Sequence, residues 1–218
     1  MKIALVGGTG NIGRGLALRW ALKHEVLIGS RSEEKARACV LEYSKHLDAA
    51  RLIGCNNVDA VSLADVVVLC VPFEYITTTL ESVKHVIENK CVISPVVPMR
   101  RLSDRVEYAP PEEGSAALLI RKLLPESASL AATFHTVPAR SLTKTEGEKV
   151  YDVVVCGEDR AKKIAFELAI DANLRPFDGG PLENSPQVES LTPLLINLGI
   201  YNNLKNVGIK FLYNDTDR

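Results

Sequence analysis

Several familiar chemistries have no foothold in this chain. Its five cysteines (Cys39, Cys55, Cys70, Cys91 and Cys156) contain no C-x-x-C pair, and their number is odd. That argues against a disulfide framework and for reduced, mostly buried thiols. Its four histidines are scattered, with no H-E-x-x-H or similar spacing, so no metal site is expected. A formal net charge of −1 gives no general attraction to nucleic acid or to an anionic membrane. No apolar run approaches the roughly 20 residues of a membrane helix. The first residues read as a core strand rather than a signal peptide, so a cytoplasmic protein is the expectation. There is no internal repeat and no low-complexity segment.

With 46% hydrophobic residues, the 218-residue chain can bury one α/β domain and a small appendage. Strand and helix patterns alternate as far as residue 180. The strands read as Ile3–Val6, Glu25–Gly29, Arg51–Ile53, Val66–Val71, Cys91–Ser94, Leu130–Phe134, Tyr151–Cys156 and Arg175–Phe177. Between them come helices near Asn11, Glu33–Leu47, a segment ending at Ala64, Glu74–Ile87, Ser115–Leu124 and Arg160–Ala172. Residues 99–112, rich in charge, read as loop. The alternation predicts a doubly wound, mostly parallel Rossmann-type sheet. Gly179-Gly180-Pro181 marks a boundary between a nucleotide-binding domain (1–180) and a small C-terminal helical segment (181–218). There Gln187–Leu204 is one long helix, more apolar than a surface helix needs, which suggests packing on the sheet edge or on a second subunit. The polar tail Asn214–Arg218 is expected to fray.

Gly8, Gly10 and Gly13 follow the first strand in G-x-G-x-x-G spacing. In that pattern Gly8 permits the turn, Gly10 admits a pyrophosphate to the backbone, and Gly13 lets helix and strand approach. The diphosphate would sit on the free N–H groups of the helix beginning near Asn11. The motif alone is weak; strand before and helix after are the context it needs. NAD-binding units end their second strand on a carboxylate that holds the ribose 2′-hydroxyl. Here that place reads Gly29-Ser30-Arg31, with Lys35 one turn later. A hydroxyl, a planar fork and a point charge suit a 2′-phosphate and hence NADP. The alternative is a helix-capping serine beside two solvated cations.

Ligands of parallel sheets bind beyond the carboxyl ends of the strands. Gly8–Gly13, Val71-Pro72-Phe73, Ser94-Pro95 and His135-Thr136-Val137-Pro138-Ala139 all end there. His135 is the one histidine so placed. By position it is either a general acid–base or a pocket-lining group. No partner stands at a spacing that completes a dehydrogenase proton relay. Transfer of hydride between two cofactors needs mainly proximity, because the cofactors carry the hard chemistry, and this chain suits that case.

The runs Gly7–Leu18, Gly29-Ser-Arg31 with Lys35, Ser94-Pro-Val-Val-Pro98, His135–Ala139, Gly180-Pro-Leu182, Val188-Glu-Ser-Leu-Thr-Pro193 and Gly208-Ile-Lys-Phe-Leu212 resemble the coenzyme F420-dependent NADP oxidoreductases. The resemblance covers nearly the whole chain. It implies a homodimer that moves hydride reversibly between the 5-deazaflavin F420 and NADP. It also implies that Thr9, Gly10, Asn11, Ile12, Ser30, Arg31 and Lys35 hold NADP, with Phe73, Thr77 and Ala139 completing that site. His135, Ser190, Thr192 and Val207 would face the deazaflavin, and Val137 would lie beside the two rings. His135 would then orient or polarise a ring and not serve as an obligatory base. Pro186-Gln187 departs from the family's basic residue near the anionic tail of F420, and Phe73 stands for a larger aromatic. Arg140 and Lys144 are candidate partners for that tail. Rival readings keep NADPH but change the acceptor to a flavin, a ferric or cupric chelate or an imine, or make the chain an NADP sensor.

Overall fold

The computed structural model describes residues 1–46, 51–143 and 151–214. Leu47, Lys144 and Asp215–Arg218 lie outside the described residues. The first half alternates β1 (Lys2–Val6), α1 (Asn11–Trp20), β2 (Glu25–Ser30), α2 (Glu33–Tyr43), β3 (Leu52–Asn56), α3 (Asn57–Leu63), β4 (Val66–Leu69), α4 (Ile76–Val83) and β5 (Cys91–Ser94). A hairpin, β6 (Met99–Arg101) and β7 (Val106–Tyr108), leads to α5 (Ala116–Leu123), β8 (Ser129–Ala132) and a one-turn α6 (Ala139–Leu142). The chain then continues through β9 (Asp152–Gly157), α7 (Asp159–Asp171), β10 (Arg175–Asp178) and α8 (Ser185–Tyr201).

Eight of these strands form one sheet in the order β10-β9-β8-β5-β4-β1-β2-β3. From β3 to β8 every neighbouring pair is parallel. Strand β9 joins β8 antiparallel, and β10 runs parallel to β9. The chain builds outward from β1 through β2 to β3, then returns to the other side of β1 for β4. That reversal opens a crevice at the carboxyl ends of β1 and β4, where such sheets bind ligands.

The strands are buried on both faces because helices cover both. Ile3, Leu5, Val26, Ile28, Val66 and Val68 point into one apolar layer with Leu16 and Trp20 of α1 and Leu168 of α7. Ala4, Val6, Leu27, Val67 and Leu69 point into the other, with Ala60 and Val61 of α3 and Leu80 and Val83 of α4. Continuous apolar strands such as Val66–Leu69 follow from this two-sided cover.

Two segments differ from the sequence reading. The expected loop at 99–112 contains the hairpin, with Met99 opposite Tyr108. Its charges pair across the strands, Arg100 with Glu107 at 3.0 Å, so a charge-rich stretch is here an antiparallel ladder. Helix α8 lies against that hairpin. The Asn197 side chain accepts from the Val106 N–H at 2.8 Å and donates to the Val106 carbonyl at 2.8 Å. Helix α4 is also shorter than the expected 74–87, beginning at Ile76 after a 3-10 turn at Phe73–Tyr75.

Candidate functional site

The glycine turn works differently in detail from its motif. The residue in the left-handed region is Gly7, at φ 71°, and not Gly8. The Gly8 N–H is spent internally, on the carbonyls of Leu5 and Gly29, both at 3.0 Å. Gly13 packs so closely on Gly8 that a Cβ would overlap its carbonyl. A Cβ on Gly10 would meet nothing within 4 Å. Gly8 and Gly13 therefore shape the turn, while Gly10 borders open space. Gly10 caps α1 without a side-chain hydrogen bond, and the helix has no acidic residue in its first turn. Its leading N–H groups and positive end face that space unblocked.

A cavity of about 720 Å³ begins there. Thr9, Gly10, Asn11, Ile12, Ser30, Arg31, Lys35 and Phe73 line it, as the sequence led one to expect, and none of the residues lining it is acidic. Ser32, not Ser30, caps α2: its hydroxyl accepts from the Lys35 N–H at 3.2 Å. The Ser30 hydroxyl accepts a long 3.3 Å bond from Ser32 and remains at the cavity wall. Arg31 lies over the ring of Tyr75, 5.2 Å from its centroid. Thr77 is on the exposed side of α4 and does not line the cavity; the buried Thr79 does. An unblocked helix start beside free cations fits a dinucleotide carrying a 2′-phosphate.

Asn57, Tyr75 and Met99 also line the cavity and were not found from sequence. The Asn57 carboxamide accepts from the Gly7 N–H at 3.2 Å and so steadies the turn. Its only signal was a polar pair at the carboxyl end of β3. Met99 arrives on the unforeseen hairpin.

A second cavity of about 440 Å³ adjoins the first, between residues 135–139 and the second half of α8. His135, Val137, Ala139 and Thr192 line both cavities and form their common wall. Val207 lines the second, with Leu195, Ile196 and Ile200. Ser190 lines neither, and its hydroxyl donates to the Gln187 carbonyl at 2.8 Å. Arg140 is exposed at the start of α6, and Pro186-Gln187 occupy the first turn of α8 without touching either cavity.

The common wall is held under strain. Phe134 takes φ 68°, unusual for an aromatic residue, and packs edge-on to Trp20 at 5.8 Å. This turn aims His135 into the site, where its carbonyl accepts from the Thr192 hydroxyl at 3.0 Å. His135 is 6% exposed, and neither of its ring nitrogens has an aligned hydrogen-bond partner. Burial pushes its pKa down to about 3, offset in part by the Ser94 backbone. Burial thus favours the neutral imidazole at physiological pH, and both ring nitrogens lie buried beneath the surface shared by the two cavities.

The protein comparisons bear directly on this geometry. A family model described as NADP oxidoreductase, coenzyme F420-dependent, matches residues 2–98. The F420-dependent NADP reductase of Methanocaldococcus jannaschii is 38% identical, over 96% of this chain and 97% of that protein. The chain belongs to the F420-dependent NADP reductase family. The Methanothermobacter thermautotrophicus reductase is 40% identical, over 96% of this chain and 94% of that one. A crystal structure from Arthrobacter sp. FB24, proposed as a reductase of this family, superposes with a TM-score of 0.81. It is 25% identical and covers 98% of this chain and 100% of its own. The likeness to the curated reductases covers 96% of this chain and so extends well beyond the residues 2–98 that the family model matches.

Proposed function

We propose that this protein transfers hydride reversibly between coenzyme F420 and NADP. The observation that carries the reading is the pair of adjoining cavities divided by one wall, one basic and acid-free, the other largely apolar. When both cofactors are bound, C4 of the nicotinamide and C5 of the deazaflavin supply donor and acceptor, so the protein supplies chiefly proximity and orientation. Thr9, Gly10, Asn11 and Ile12 hold the diphosphate at the start of α1. Ser30, Arg31 and Lys35 hold the 2′-phosphate. Phe73 and Ala139 bound the nicotinamide end, with Thr79 in the place expected of Thr77. His135, Thr192 and Val207 bound the deazaflavin end, and Val137 lies beside the two rings where they meet. His135, kept neutral by burial, orients or polarises the deazaflavin and does not exchange a proton in the reaction. Residues 1–180 serve as the NADP-binding domain, and the following segment completes the F420 pocket.

We also assign a homodimer. Leu194, Leu198 and Tyr201 are 51%, 40% and 62% exposed along one side of α8, more apolar surface than a helix shows to water without a partner. Five free cysteines and the want of any helix long and apolar enough to cross a membrane, among the described residues, support a cytoplasmic location.

The test is NADPH oxidation by the purified protein with F420 and, separately, FMN, a ferric chelate and a cyclic imine. Rapid turnover with F420 and poor use of NADH is the expected result. Turnover with another acceptor alone would move the protein to one of the rival reductase readings. Tight NADPH binding with no turnover under any acceptor would make it a sensor.

A further inference from the structure

The segment after α8 has no regular secondary structure, yet it is fastened to the far edge of the sheet. Asp152, at the start of β9, is 1% exposed, and Arg175 of β10 grips its carboxylate through two hydrogen bonds of 2.8 and 2.7 Å. The same carboxylate accepts from the Phe211 N–H. The Arg175 guanidinium donates to the Phe211 carbonyl at 2.9 Å, and the Asp152 N–H to the Ile209 carbonyl at 3.0 Å. Phe177 and Tyr213 lie against the guanidinium at 5.1 and 5.6 Å. One residue earlier, the Tyr151 hydroxyl donates to the Asn206 carbonyl at 3.2 Å and lies 3.0 Å from the Ser141 hydroxyl of α6. Its ring packs where a side chain on Gly208 would stand.

These contacts bracket Asn206 and Val207, which wall the second cavity opposite residues 135–139. On the upstream side the Leu204 N–H donates to the Gly199 carbonyl at 2.9 Å; on the downstream side this irregular backbone is pinned at Tyr151, Asp152 and Arg175. The Asp152 carboxylate is fully buried while Arg175 stays partly exposed, so loss of the bidentate contact would leave a buried carboxylate short of its partners, which is costly. We propose that Tyr151, Asp152 and Arg175 are positioning residues for the deazaflavin half of the site, acting through the C-terminal segment that carries Val207. None of them lines either cavity. The inference rests on the second cavity being the F420 pocket.

Three variants test it: Tyr151→Phe, which keeps the ring but not the hydroxyl; Asp152→Asn; and Arg175→Leu, with Arg175→Lys as partial rescue. The expected result is a KM for F420 raised about ten-fold or more, as a displaced wall would cause. NADPH affinity, measured apart from turnover by fluorescence titration, should stay within about two-fold, because the first cavity is not touched. Amide hydrogen exchange across residues 207–212 should quicken in the same variants, independently of activity. Should Arg175→Leu fail to fold, Tyr151→Phe and Asp152→Asn still decide the matter. An unchanged KM for F420 in folded variants overturns this inference alone, as does an equal loss of NADPH affinity, which would mark a general structural role. Wild-type protein that neither binds nor reduces F420 overturns this inference and the functional reading together.

Discussion

In the proposed site, Arg31 is the residue that would decide between two cofactors through one phosphate. It stands where an NAD enzyme would carry a carboxylate, at the end of β2, and no acidic side chain lines the cavity it enters. A charge-assisted contact of this kind is worth about 2 kcal/mol. Arg31→Ala should therefore weaken NADPH binding roughly thirty-fold and leave NADH almost unaffected, as the ratio of the two KM values will show. His135 sets a different test. With its pKa held near 3, it does not titrate in the folded protein between pH 5 and 8. The pH profile of kcat/KM should have no limb that disappears in His135→Asn, although the rate itself falls. A general base at this position would leave such a limb. The same shift acts on stability. Below the ordinary histidine pKa of about 6.5, the unfolded chain takes up a proton that the folded chain refuses until about pH 3. This contribution is complete above pH 6.5 and is lost as the solution is acidified toward 3, so denaturation midpoints of wild type should fall more steeply on acidification than those of His135→Asn.

Helix α8 joins the hairpin and α5 to the rest of the site, and Glu189 is the joint. Its carboxylate is fully buried and accepts from the N–H groups of Ala116 and Ala117, at 2.8 and 2.9 Å, and from the Tyr108 hydroxyl at 3.1 Å. It caps α5 from outside, at the end where a helix favours negative charge. Removing it by Glu189→Ala should cost about 2 kcal/mol by leaving buried donors unpaired, measured by urea unfolding. Burial pushes its pKa up to about 7 in spite of those three donors. A carboxyl raised in the folded state contributes stability below its unfolded pKa, near 4.5, and loses it as pH rises through 7. Between pH 5 and 8 wild type should therefore lose stability relative to Glu189→Ala. This runs opposite to the His135 effect, so the two variants separate the contributions.

The folded protein presents two cavities that share the 135–139 wall and Thr192; α8 borders both, and the hairpin borders the first through Met99. Several apolar side chains of α8 still face outward. Leu198→Glu places a charge in the middle of that face and should turn a dimer into a monomer in light scattering, with the NADPH site unimpaired. A protein that is monomeric before substitution would refute the dimer assignment. The proposed clasp at Asp152 belongs to this level too, because it links the sheet edge to the segment around Phe211, far away in sequence.

Much of this was readable without coordinates, and the reason is locality. The first βαβ unit, its glycine turn and the cationic end of β2 are contiguous runs whose chemistry depends on neighbours a few residues away. Periodicity alone gave the parallel core, since strands covered on both faces must be apolar throughout. The family resemblance identified His135, Thr192 and Val207, and the structure brings these three to one cavity. Other features required distant contacts. Gly7, and not Gly8, takes the left-handed conformation of the turn, while Gly8 is held against Leu5 and Gly29 of the sheet. The hairpin at 99–108 is hidden in a charged stretch, since cross-strand ion pairs leave no apolar alternation to read. The reversal of β9, the burial that keeps His135 neutral and the Asp152–Arg175 clasp all depend on which segments meet after folding. Sequence determined the cofactor class because the groups that grip a phosphate are adjacent along the backbone. Tertiary structure decided protonation, enclosure and alignment, because desolvation and packing belong to the surroundings of a residue and not to the residue itself.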